Sequence, residues 1–147
     1  MVTDKDQKKL TTTQLMDHLR RSQTVSDALA ADIGTAGVQQ LHHCLKELTE
    51  SYGVSVSQII FETNLSKSFV YQLFSGERNA GRDIILRMAF AMGLSVKDTQ
   101  RLLSASNNGS LYPRVRRDAA IIFCLNKKLT LTETCELLDG LSEESLQ

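Results

Sequence analysis

The sequence predicts an all-α protein, and three observations carry that expectation. Helix breakers are rare, with one proline and eight glycines in 147 residues. Apolar residues recur at i, i+3 and i+4, the spacing that lays one stripe along a helix. No stretch alternates apolar and polar residues for long enough to form a half-buried strand, while Ser/Thr-x-x-Gln/Glu capping signatures precede two apolar runs.

Taken in order, residues 1–10 are polar, charged and without period, which predicts disorder. Residues 11–36 form an N-terminal helical extension. Leu15 and Leu19, then Val25, Leu29 and Ile33, step by four in two short amphipathic helices broken near Ser22, and Gly34-Thr35-Ala36-Gly37 is a linker. Leu41, Leu45 and Leu48 mark a helix that stops at Gly53. Ser55-Val56-Ser57-Gln58 is a capping box for a short helix carrying Ile59, Ile60 and Phe61 and ending near Asn64, which suits a left-handed turn. Ser66 caps the next helix, with Val70, Leu73 and Phe74 inward and Gly76 as its stop. Arg82 to Met92 follows, burying Ile85, Leu86, Ala89 and Met92, and Ser95 caps a fifth helix with Leu102 and Leu103.

The turn cluster Asn107-Asn108-Gly109-Ser110 opens a C-terminal extension, 107–147. Pro113 fits the first turn of a helix running to about Lys128, with Ala119, Ile122, Phe123 and Asn126 on its inner side. Thr130-Leu131-Thr132-Glu133 is a second capping box, for a last short helix with Leu137, Leu138 and Gly140.

Charge and cysteine usage narrow the function classes. Seventeen Lys+Arg balance seventeen Asp+Glu, so the chain is not a polycation that holds nucleic acid by bulk electrostatics. The segment 37–106 holds seven basic and six acidic residues, close to neutral. Three scattered cysteines, Cys44, Cys124 and Cys135, do not make a disulfide framework. No apolar run approaches the ~18 residues of a membrane span, and Met1-Val2-Thr3-Asp4-Lys5-Asp6 lacks a signal-peptide core. The expected setting is soluble, reduced and cytoplasmic, without membrane contact.

Ser55–Thr63 and Ser66–Ser75 have the spacing of a helix-turn-helix. The stretch Leu45–Leu103 resembles the phage-repressor and Cro-like (Xre-type) family. The resemblance lies in Val54-Ser55, Ile59, the turn Asn64-Leu65-Ser66, then Val70, Leu73 and Phe74, the loop Gly76-Glu77-Arg78-Asn79, and Met92-Gly93-Leu94-Ser95. Leu111-Tyr112-Pro113-Arg114 and Arg116-Arg117-Asp118-Ala119 are similar to a bacterial subgroup with two extra C-terminal helices. The resemblance implies a five-helix repressor-like DNA-binding domain over 37–106 and a transcription regulator. Its third helix would lie in the major groove of double-stranded DNA.

On that geometry Ser66, Lys67, Ser68, Tyr71, Gln72 and Ser75 face outward. Lys67 suits guanine O6 and N7, Gln72 suits adenine, Ser66 and Ser68 suit phosphate or base, and Tyr71 suits either. Arg78, Asn79 and Arg82 are placed to hold backbone phosphates. One short helix and a balanced charge imply a homodimer on two half-sites, with residues 11–33 or 113–138 as interfaces. The alternative is a protein–protein adaptor on the same fold. It is favoured by Val56 where many members carry Gln, by Glu77 where Lys is common, and by zero net charge. Ile60 in place of Ala, and Ala80-Gly81 in place of Pro-Ser/Thr, also depart from the family pattern.

Other constellations point to no chemistry. Consecutive His42-His43-Cys44 diverge by about 100° per residue on a helix and cannot converge on a metal ion. Gly76 to Gly81 has two glycines but lacks the Lys-Ser/Thr and the preceding strand of a phosphate loop. Arg114 and Arg117 are expected to bridge to Asp118 or Glu133, with contact to phosphate or an acidic partner as the other option. No cofactor, no metal and no enzymatic activity are expected.

Overall fold

The computed structural model describes residues 37–147, with side chains from Leu41 onward. The expectations for 1–10, 11–36 and the helices within 11–33 lie outside the described residues. Among the described residues there are seven α-helices and no strand: α1 Gly37–Tyr52, α2 Val56–Thr63, α3 Lys67–Ser75, α4 Arg82–Met92, α5 Val96–Ala105, α6 Arg116–Asn126 and α7 Leu131–Gly140. Gly37–Gln147 forms one compact unit. No described helix is long and apolar enough to cross a membrane.

The caps explain why the helices start and stop where they do. The hydroxyls of Ser55, Ser66, Ser95 and Thr130 accept from the amides three residues on, satisfying donors that the first turn leaves open. At Thr130 the box closes, because Glu133 also accepts from the Thr130 N–H at 2.9 Å. At Ser55 only the forward arm forms, from Gln58 N–H at 3.1 Å. Asn64 ends α2 in the left-handed region at φ 58°, and its N–H donates to the Ile60 carbonyl. Gly76 ends α3 at φ 87°, where a Cβ would also lie 2.7 Å from His42 Nδ1, so glycine is needed there twice over.

Packing follows from the stripes. α1 lies on α3 and α5, α2 on α3 and α4, α4 on α5 and α7, α5 on α6, and α6 on α7. Leu41, Leu45, Ile59, Leu73, Ile85 and Leu102 are fully buried at the centre. The same core receives Ile121, Cys124 and Leu125 from α6, Leu131 and Leu138 from α7, and Leu146 from the tail. Residues 107–147 are therefore a structural part of this core. All three cysteines are buried, and burial pushes the Cys44 thiol up to about 11 and raises that of Cys124.

Three local expectations are corrected. Pro113 precedes α6 by three residues and sits in a turn closed by Val115 N–H to the Tyr112 carbonyl at 2.9 Å, where its fixed φ suits the turn's second position. The buried face of α6 is Asp118, Ile121, Cys124 and Leu125; Phe123 is 49% exposed, Asn126 is exposed, and Ala119 and Ile122 are half-buried. Asp118 sets this rotation by reaching inward to Arg82, and Phe123, two residues from Ile121, then points away. Phe61 likewise sits two residues from buried Ile59 and Thr63, which puts it on the opposite face at 84% exposure.

Candidate nucleic-acid interface

α3 follows α2 after only Asn64-Leu65-Ser66. The turn is tight because Asn64 is left-handed and because the buried Thr63 hydroxyl both donates to the Ile59 carbonyl at 2.6 Å and accepts from Leu65 N–H at 3.4 Å. Arg87 of α4 donates to the Thr63 carbonyl, placing a cation at the C-terminal end of α2 where the helix dipole favours it. Val70, Leu73 and Phe74 pin α3 into the core.

The other side of α3 is open. Ser66, Lys67, Ser68, Tyr71 and Ser75 are exposed and Gln72 is half-buried. Ser66 holds the Phe69 amide at 3.2 Å and Ser75 donates to the Gln72 carbonyl at 3.2 Å, so both hydroxyls already have work within the helix. Lys67 Nζ lies 5.9 Å from the centre of the Tyr71 ring, and the two side chains stand together as a cation with an aromatic face. After α3, the Gln72 carbonyl accepts from Gly76, Glu77 and Arg78 amides, which fixes the start of the loop. Arg78 lies over Phe69 at 5.5 Å, with exposed Glu77 beside it.

Asn79 and Arg82 have different surroundings. Asn79 donates to the Ser106 carbonyl at 2.8 Å and accepts from Ala80 N–H, clipping the loop to the end of α5. Arg82 makes a two-pronged pair with Asp118, 3.0 and 2.7 Å, and also donates to the carbonyls of Gly109 and Ser110. Its guanidinium faces inward to α6 and does not extend the open surface of Lys67 and Arg78. Burial pushes the Asp118 carboxyl up, but Arg82 and the Tyr112 amide outweigh it and hold the group below the usual carboxylate range.

The bridges expected of Arg114 and Arg117 to Asp118 or Glu133 do not form. Arg117 pairs with Asp83 at 3.0 and 3.1 Å and holds the carbonyls of Glu144 and Ser145. Asp118 is occupied by Arg82, and Glu133 by its own capping box. Sequence reasoning missed a symmetry visible in the letters: Arg82-Asp83 and Arg117-Asp118 are matching dipeptides at two helix starts, and each arginine takes the other's aspartate. Arg114 is exposed and has no acidic partner among the described residues.

Glu62, Phe90, Leu94, Leu125 and Lys128 line a half-open cavity of about 120 Å³. Among the described residues no group of three His, Cys, Asp or Glu is gathered as a metal site, and the His42 and His43 rings stack at 4.4 Å. Comparison with family models, curated proteins and solved structures found no match to this chain.

Proposed function

We propose that the protein is a sequence-specific DNA-binding regulator that works by occupying a duplex site, with α2 and α3 as a helix-turn-helix and α3 in the major groove. The single observation that carries this is the open flank of α3, where Lys67, Ser68 and Tyr71 are exposed and Gln72 is half-buried, on a helix whose other side packs into the core. A probe of that kind reads base edges with its N-terminal residues, and a cation on the following loop fixes register on phosphate. Arg78 fills that second role; Asn79 and Arg82 hold the loop instead. One such helix is a small footprint, so the working form is a homodimer on two half-sites in the cytoplasm.

The test is fluorescence anisotropy of the full chain with duplexes enriched from a random-sequence pool. Lys67→Ala is expected to weaken binding about tenfold and relax preference at one position, and Arg78→Ala to weaken all sequences alike. Affinity should also fall steeply as salt rises. Binding that ignores both substitutions and salt would overturn the proposal.

A second reading, a protein adaptor on the same fold, is favoured by one feature. Phe61 is 84% exposed on α2, and its neighbour Glu62 borders the cavity. A large exposed aromatic is the residue type that anchors protein interfaces. An adaptor shows no salt-dependent retention on DNA and loses its partner on Phe61→Ser.

A further inference from the structure

We infer that the turn Tyr112–Val115 is a second contact with the duplex, in which Arg114 grips a backbone phosphate beside the site addressed by α3; this rests on the DNA-binding proposal above. Four arginines lie near this end of the molecule, and three of them are engaged. Arg82 holds Asp118, Arg117 holds Asp83, and Arg116 approaches Glu143 at 3.6 Å and the Leu141 carbonyl at 3.2 Å. Arg114 stands in the open without an acidic partner among the described residues, in the turn just before α6, where the positive end of the helix dipole disfavours it. A cation so placed gains nothing from its own fold, whereas an external anion would satisfy it.

The turn that carries Arg114 is built as a rigid support. Gln100 mimics a peptide group against Leu111, accepting its N–H at 2.7 Å and donating to its carbonyl at 2.9 Å. The Tyr112 amide donates to Asp118 at 2.9 Å, and the Tyr112 carbonyl closes the turn around Pro113 by accepting from Val115 N–H. Despite this anchoring the Tyr112 ring is 58% exposed. The hydrogen bonds thus fix the backbone of the turn, on which Tyr112 and Arg114 are both exposed, and a fixed backbone reduces the entropy lost on binding.

The same network joins this turn to the loop that follows α3. Asn79 holds Ser106, Asn108 holds the Ala80 carbonyl at 3.0 Å, and Arg82 holds Gly109 and Ser110. Arg78 and Arg114 are therefore carried by two loops that behave as one piece. Four residues beyond Ser110, Arg114 lies within about 14 Å of chain from that clip.

The experiment compares the full wild-type chain with Arg114→Ala, Arg114→Lys and Lys67→Ala on an enriched duplex over a salt series. Arg114→Ala should weaken binding about threefold to tenfold for every sequence and lower the slope of log affinity against log salt by about one. Arg114→Lys should restore the slope, and thermal melting should be unchanged because the side chain is exposed. Wild-type affinity and slope for Arg114→Ala, with binding weakened about tenfold in Lys67→Ala, would overturn this contact and leave the role of α3 standing. If the wild-type chain binds no duplex, both proposals fall. Loss of an acidic protein partner in Arg114→Ala, with DNA binding intact, also overturns it.

Discussion

At the scale of single residues, the exchange between Arg82-Asp83 and Arg117-Asp118 places a carboxylate inside the fold where it depends on its partner. The Asp118 side chain is 7% exposed, and its two oxygens take Arg82 and the Tyr112 amide together. Asp118→Asn leaves the guanidinium half-buried beside a neutral group, and a loss of about 2–3 kcal/mol is expected in urea unfolding at pH 7. The pH dependence follows from the sign of the shift. A carboxyl lowered in the folded state stabilises above its unfolded pKa, about 3.9, and that contribution disappears as pH falls through the lower folded value. The gap between wild type and Asp118→Asn should therefore be full at pH 6 and narrow on acidification below about pH 4. An equal gap at pH 3 would show that the carboxylate is not its source.

At the scale of helices, caps and stops decide how firmly α3 is presented. Ser66→Ala removes the acceptor for Phe69 N–H and should cost about 1 kcal/mol. Gly76→Ala meets both a left-handed backbone and the His42 ring, so about 2 kcal/mol or more is expected from a melting experiment. Much of this is legible in the sequence: the stops at Asn64 and Gly76, the cap residues and the apolar stripes of the central helices need only local spacing. Phe61, grouped with Ile59 and Ile60 in the sequence, is a misreading that spacing alone corrects, since a residue two places from Ile59 faces away from it on a helix. The rotation of α6 was not, because it is set by Asp118 reaching an arginine thirty-six residues earlier in the chain. The inward turn of Arg82 and the clip at Asn79 escaped for the same reason: a cation ahead of an open loop and one holding a distant helix look alike in sequence.

At the scale of the molecule, the C-terminal helices complete the core. Ile121, Cys124, Leu125 and Leu138 close over the inner sides of α4 and α5. A chain ended at Ser106 should expose that apolar surface and lose its sharp unfolding transition, with dye binding typical of loosened packing. Retention of a cooperative melt in such a chain would show that the five central helices suffice. Since α6 and α7 turn their apolar faces inward, a dimer formed through them has exposed Phe123 and its neighbour Lys127 to offer. Sedimentation at micromolar concentration, repeated with Phe123→Ser, tests that route: a dimer that persists unchanged forms elsewhere.

The burial of every sulfhydryl has a practical consequence. With the Cys44 group raised to about 11, only roughly one part in ten thousand is ionised at pH 7 even before access is considered. Alkylating reagents should pass over the native thiols, so a cysteine introduced at Ser68 can carry a single fluorophore without removing the others. Slow modification of the native three then becomes a clock for opening of the fold, and duplex added in excess should make that clock run slower.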